Sequence, residues 1–411
     1  MLGCASLSAG AQQLAQRVSS ANGSRVQFTF ATRDGVCGDG RTYIRSASAS
    51  NSSYYGSFND MTAEPCVRGP ARVVLDRADG QVVGLRVFVG PPASDGAVDL
   101  GAVPARDAAA YLMHLAESGE GAVARDAIMP AMLADSTDNS DALVALARDK
   151  SRSRETRRSA LSWLGRDSQA PASLVQSLVA IGTDDTDNQT VREQAFNTLA
   201  RLDAGAGIPV LIRLADDAQG GWVARTALSV ISRSGDPRAH DYLRGVVQKA
   251  ALPDEALGVA IRSFGQQYAT AADIKVIRDA WPKFVGEHAQ GAAISAAAEF
   301  GGADNAAWLL SLARDMSTTA NIRRRALEAS TRAGAGTNDL ITLYDRTTDP
   351  ETKTAIISAL SEIGDRASID KLLAIAKQDE SLTARRRAVS ALGRTSDPRV
   401  KDALAGIVIG R

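Results

Sequence analysis

A phrase of small and apolar residues returns about every 33 residues along most of this chain. It reads Ala160-Leu161-Ser162-Trp163-Leu164-Gly165, then Ala260-Ile261-Arg262-Ser263-Phe264-Gly265, then Ala388-Val389-Ser390-Ala391-Leu392-Gly393. No other feature constrains the fold as tightly. Each copy is too short to bury its own apolar face, so it must stack on its neighbours. The expected fold is mainly α, an α-solenoid, rather than a globule built around one pocket. The length of 411 residues would otherwise divide into two or three domains. The aromatic fraction of 5% agrees with closely packed, Ala-rich helices.

Taking the first Ala of the phrase as phase zero, copies fall at Ala160, Ala195, Ala227, Ala260, Ala296, Ala326, Ala355 and Ala388. Gly165, Gly265, Gly301 and Gly393 follow five residues later, where a left-handed helix C-cap is expected. Asp236-Pro237-Arg238 and Asp397-Pro398-Arg399 then supply an N-cap and a first-turn proline for a following helix. Each unit therefore reads as two helices joined by a short turn. About eight such pairs are expected over residues 139–411, preceded by connecting helices over 101–138.

An acid in the inter-helix turn precedes a second signature. It reads Arg157-Arg158-Ser159-Ala160, Arg192-Glu193-Gln194-Ala195, Arg323-Arg324-Arg325-Ala326 and Arg385-Arg386-Arg387-Ala388. The ankyrin and tetratricopeptide phrases are absent. The pattern resembles the HEAT family, in particular the shorter HEAT-like repeats of phycobilisome-lyase-type proteins. The resemblance implies a solenoid whose second helices line a concave, partner-binding face. Units phased at Ala227, Ala260, Ala296 and Ala355 lack the Arg and depart from the pattern. The layout is also similar to exported bacterial HEAT-repeat proteins.

Residues 12–100 read differently, as a small β-rich domain. Residues 25–32, 71–76 and 81–89 are predicted strands, with Asp79-Gly80 as a hairpin turn. The Ser/Asn-rich residues 46–57 are expected to form a long exposed loop. Residues 1–11 resemble the tail of a signal peptide, with Ala9 and Ala11 fitting a small-x-small cleavage site. Of Cys4, Cys37 and Cys66, removal of that segment leaves an even pair. A Cys37–Cys66 disulfide in an exported protein is expected, the alternative being two free thiols in a cytoplasmic one.

The repeated Arg157, Arg192, Arg323 and Arg385 lie at helix N-termini, where a cation opposes the helix dipole. Pairing with Asp149, Asp187, Asp315 and Asp379 in a ladder between units is the expected reason. The sharper alternative adds Arg158, Arg225, Arg324, Arg325, Lys353, Arg386 and Arg387 as a basic stripe for an acidic partner. Acids at 135–141 and 184–188 read as helix caps, since no calcium-loop Gly and Glu accompany them. Phe264, Tyr268, Trp281, Phe284 and His288 concentrate rings in an irregular unit, either as exposed anchors for a partner or as larger core fillers. His114, His240 and His288 share no metal-ligand spacing, and no catalytic motif is found. No metal or cofactor is expected.

Lys plus Arg and Asp plus Glu are both 47, so the net charge is zero, which argues against general nucleic-acid binding. No membrane-length apolar run is present. The sequence thus favours a monomeric, non-enzymatic scaffold in the cell envelope that holds a protein or peptide partner. Its alternatives are an enzyme or lyase-like, chromophore-handling protein with a site assembled across repeats, and a function carried by the β domain.

Overall fold

A computed structural model describes residues 7–401, apart from 42, 48–51, 57–65, 92–95, 166–170, 218–220, 267–268 and 396. The chain forms two compact units, Met1–Leu211 and Ile212–Arg411.

The first unit opens with helix α1 (Ala9–Ser20) and a strand-rich region. Strands β1 (Arg25–Phe30), β5 (Ala71–Ala78), β6 (Gln81–Val89) and β7 (Val98–Ala102) make one sheet in the order β6-β5-β1-β7. The pairs β1–β5 and β5–β6 are antiparallel, while β1–β7 is parallel. Alternation along β1 buries Val26, Phe28 and Phe30, as its sequence predicts. Asp79 and Gly80 both have positive φ, 53° and 77°, in the tight turn of the β5–β6 hairpin. A second antiparallel sheet joins β2 (Val36–Gly38), β3 (Tyr43–Ala47) and β4 (Ser52–Gly56). The expected loop at 46–57 is therefore corrected: Ala47 pairs with Ser52, so a hairpin occupies much of it. Cys37 and Cys66 form the expected disulfide, with Cα atoms 5.2 Å apart.

The segment expected to end at residue 11 also differs. Ala11, Leu14 and Val18 share the buried face of one continuous helix, α1. That face packs on α2 (Ala105–Ser118), whose Tyr111 ring in turn meets Phe28 edge-on. The boundary read between Ala11 and Gln12 thus lies inside a packed element. Helices α3 (Gly121–Asp126) and α4 (Ile128–Leu133) follow.

Helix pairs then succeed one another. The first unit holds α5 (Ser140–Arg148) with α6 (Arg154–Leu164) and α7 (Ala172–Thr183) with α8 (Gln189–Arg201). Helix α9 (Ile208–Asp217) straddles the boundary and precedes α10 (Trp222–Ser232). The second unit continues with α11 (Pro237–Lys249), α12 (Asp254–Phe264), α13 (Ala271–Ala280), α14 (Glu287–Phe300), α15 (Ala303–Arg314) and α16 (Ala320–Arg332). It ends among the described residues with α17 (Thr337–Arg346), α18 (Pro350–Ile363), α19 (Arg366–Gln378) and α20 (Leu382–Leu392). In this unit the second helices α10, α12, α14, α16, α18 and α20 each pack on the next, forming one layer. The protein is an α-solenoid with a small strand-rich N-terminal region.

Helix caps set the phase of each unit. In α6, α8, α12, α16 and α20 the phase-zero Ala stands seven residues after the N-cap. The same count in α10, α14 and α18 falls on Leu228, Ala293 and Ile356, all fully buried. Those units are thus in phase one, three and one residue away from Ala227, Ala296 and Ala355. All four glycines are the C-cap residues of their helices, but the left-handed backbone expected there is corrected. Gly301 alone of the four has positive φ, at 73°. At Gly265 the reason is closeness, since a Cβ there would come within 2.6 Å of the Ala296 Cβ.

Candidate functional site

At Arg157 and Arg192 the repeated cation is explained by contacts made at the junction of successive helices. Arg157 Nε donates to the Ala147 carbonyl at 2.7 Å, near the end of α5. Arg192 Nε donates likewise to the Gly182 carbonyl at 3.1 Å, near the end of α7. Each guanidinium therefore caps the negative C-terminus of the preceding helix, which outweighs its poor position on its own. The remaining Arg157 nitrogens donate to both Asp187 oxygens, at 2.7 and 2.5 Å, in a pair only 4% exposed on either side. The Arg157 guanidinium holds the Asp187 carboxyl below the usual carboxylate range.

Asp187 belongs to the turn of the following unit, so the ladder runs forward along the chain. Arg323 reaches Asp349 at 3.6 Å and Lys353 reaches Asp379 at 3.5 Å in the same sense. The corrected phases place Arg225, Gln290 and Lys353 at the ladder position of units that seemed to lack it. Arg225 pairs with Glu255 at 3.0 Å, and Gln290 Nε2 donates to the Phe284 carbonyl at 2.8 Å. In α12 the position is Leu257, a true departure. Asp149 and Asp315, expected in the ladder, instead hold their own turns by accepting from Ser151 and Ser317 N–H groups at 2.9 Å. Arg385 has its Nε buried without a partner among the described residues.

The layer of second helices carries an open groove of about 660 Å³ across α16, α18 and α20. Arg324, Glu328, Glu351, Glu362, Thr383 and Arg387 line it. Arg324 is tied to Glu328 at 2.8 Å and to Asn321 at 3.0 Å. Ala355 lines it as well, because the one-residue phase difference turns it out of the core. Arg386 is exposed on the same helix as Arg387. The expected basic stripe is thus not uniform: three carboxylates share the groove with the bases, and Lys353 and Arg225 belong to the ladder.

The aromatic residues do not converge on one exposed surface. Phe264 and Phe284 are each 2% exposed and fill the core. Trp281 lies edge-on to Phe284 and to Trp308 of α15, with ring centroids 6.5 and 5.5 Å away. Tyr268 lies outside the described residues. The reading of these rings as larger core fillers holds for Phe264 and Phe284, and their reading as exposed anchors is withdrawn.

Two histidines that sequence spacing left unrelated have acidic partners from neighbouring helices. His288 Nδ1 is 2.9 Å from Asp254, whose oxygens also accept from the His288 and Ala289 N–H groups and so cap α14. His240 Nε2 is 3.3 Å from the buried Asp273. No linear pattern links His240 to Asp273, because the pairing arises only when α11 packs on α13.

Among the described residues, no group of His, Cys, Asp or Glu is placed to hold a metal ion, and no helix is long and apolar enough to cross a membrane. Residues 337–409 match the family described as HEAT repeats. The chain matches no curated protein. The family match on the last helix pairs and the succession of like pairs before them support a HEAT-repeat protein.

Proposed function

We propose that this HEAT-repeat protein is a non-enzymatic scaffold that holds an extended peptide segment of a protein partner on its second-helix layer. The groove across α16, α18 and α20 carries this reading. It spans three successive repeats, and it offers Arg324 and Arg387 beside Glu328, Glu351 and Glu362. Such mixed charge suits a peptide of mixed sign better than a polyanion, in keeping with the net charge of zero. The Cys37–Cys66 bond supports an oxidising compartment, and with it export. It also leaves neither of those thiols for the lyase-like alternative.

A photo-crosslinking residue at Thr383, in the groove, is expected to capture one partner band in the native cell. The same residue at Asn338, on a first helix, is expected not to. The pair Arg324→Glu and Arg387→Glu should abolish the Thr383 band. Equal capture at both positions, or a band indifferent to the charge reversal, would sink the groove reading. Thiol labelling of freshly lysed cells tests the compartment: Cys37 and Cys66 should resist labelling until reductant is added.

A further inference from the structure

A cavity of about 420 Å³ lies in the first unit, bordered by β6 and by residues of α3, α4 and α6. Four consecutive residues of β6 line it, from Leu85 to Phe88. Successive side chains of a strand point to opposite faces of its sheet. A cavity that meets all four therefore runs along the edge of β6, not over one face. β6 is the outermost strand of its sheet, so among the described residues no strand pairs with it on that side.

The ladder fixes which backbone groups face this edge, because neighbouring residues turn theirs to opposite sides. The Thr29 carbonyl accepts from the Val103 N–H at 2.8 Å, on the β7 side of β1. Phe28 therefore bonds across to Val73, its partner in β5. Arg72 and Val74 then face β6 and bond Phe88 and Arg86. What remains on the outer edge are the N–H and C=O groups of Leu85, Val87 and Val89. The Val89 carbonyl indeed accepts from Gly40 outside the sheet, at 2.8 Å. Leu85 and Val87 present their groups to the cavity. An open edge of this kind is a template for a further strand.

The walls say what kind of strand fits. Tyr43, Val87, Phe88 and Met129 are only half-buried, so part of their apolar surface is open to the cavity. Three guanidinium groups, of Arg41, Arg86 and Arg125, stand there against one carboxylate, Asp126. Arg125 is 2.8 Å from Asp126. Arg86 has only a share of Asp76, at 3.5 Å, because Asp76 lies closer to Arg25, at 2.9 Å. The edge thus carries an excess of positive charge. Arg86 projects from one face of the sheet and Val87 from the other, so charge and apolar surface alternate along it with a period of two.

We propose that an extended acidic segment of a partner protein adds a strand to the outer edge of β6. Its backbone exchanges hydrogen bonds with Leu85 and Val87. Its acidic side chains meet Arg41, Arg86 and Arg125, and the apolar side chains between them rest on the opposite face. A polyanion without amide groups would leave the edge unpaired. A second copy of this chain, joined edge to edge, would set like charges together.

The test uses the full chain, deuterated and labelled with nitrogen-15, and a blocked peptide of alternating aspartate and valine. Without peptide, the Leu85 and Val87 amides should exchange faster than those of Arg86 and Phe88. The peptide should slow the Leu85 and Val87 amides saturably, at least fivefold. The same peptide methylated on its backbone nitrogens, and a lysine–valine counterpart, should each bind at least tenfold more weakly. Arg41→Glu with Arg125→Glu should reverse the preference between the acidic and basic peptides. Val87→Pro removes an N–H that β5 does not use, so the fold should persist while binding weakens at least tenfold. Leu85 and Val87 amides unmoved by the acidic peptide, equal binding of the methylated peptide, or indifference to the charge reversal would overturn the proposal. So would a dimer in solution that Val87→Pro dissolves. Should Val87→Pro fail to fold by circular dichroism, the wild-type amides and the methylated peptide decide it alone.

Discussion

A guanidinium in the first turn of a helix is unfavourable in isolation, yet Arg157 and Arg192 both sit there. Their contacts resolve the conflict, because each reaches back to a carbonyl at the end of the preceding helix. Arg157 also reaches forward to Asp187 in the next unit. Removing one partner of such a buried pair leaves an uncompensated charge. Asp187→Ala is expected to cost about 3–5 kcal/mol, read as a lower urea midpoint. Replacing both partners with Leu should cost much less, because no charge then remains buried. The pair also carries a pH signature. The folded-state pKa of Asp187 is depressed, so its stabilisation is complete above about pH 4 and is lost as pH falls through the folded value. Wild-type stability should fall steeply as pH drops below about 4. Asp187→Asn should start lower and show a shallower fall, and equal slopes would contradict the ladder.

Helices are held in phase by how closely their backbones approach. Between α12 and α14 the approach is set by small residues. A Cβ on Gly258 would lie 2.9 Å from the His288 carbonyl carbon, which is backbone and cannot turn aside. Gly258→Val is therefore expected to destabilise the second unit by about 1–3 kcal/mol, measured by denaturant unfolding followed by far-ultraviolet circular dichroism. Gly80→Ala is a useful contrast. Nothing lies within 4 Å of its Cβ position, but its φ of 77° strains any side chain. In the strand-rich region the limiting element is a covalent one. The sheet β2-β3-β4 has three short strands, marginal alone, and the Cys37–Cys66 bond closes a 29-residue separation at β2. Cys37→Ser with Cys66→Ser should cost about 2–5 kcal/mol there, seen as a lower melting temperature of the first unit.

At the scale of the whole chain, stacked pairs pass stability mainly to their neighbours. Reducing the disulfide should therefore accelerate hydrogen exchange at β1, β5 and the second sheet, while amides of α16 and α18 keep their protection. Uniform acceleration over all of them would mean a single cooperative unit rather than a stack.

The period, the cap residues and the alternation along β1 are local properties, so residues close in sequence were enough to read the helix pairs, the β5–β6 hairpin and the repeated Arg. Cys37 and Cys66 could be paired because few alternatives existed. What required the fold were relations across many residues. Leu228, Ala293 and Ile356 take the core position because caps, not the Ala pattern, start each helix. Phe264 and Phe284 turned inward because the packing of neighbouring helices gives these two rings a core to fill. β2, β4 and β7 carry weak patterns of their own and exist by pairing with partners. Arg157 meets Asp187, and His240 meets Asp273, only after separate helices pack. The sequence by itself determined a stack of helix pairs, since periodicity and capping act within a turn or two. Tertiary structure alone decided which side chains face a groove, a cavity or the core, because that depends on contacts 30 residues or more apart, as at Arg157 and Asp187.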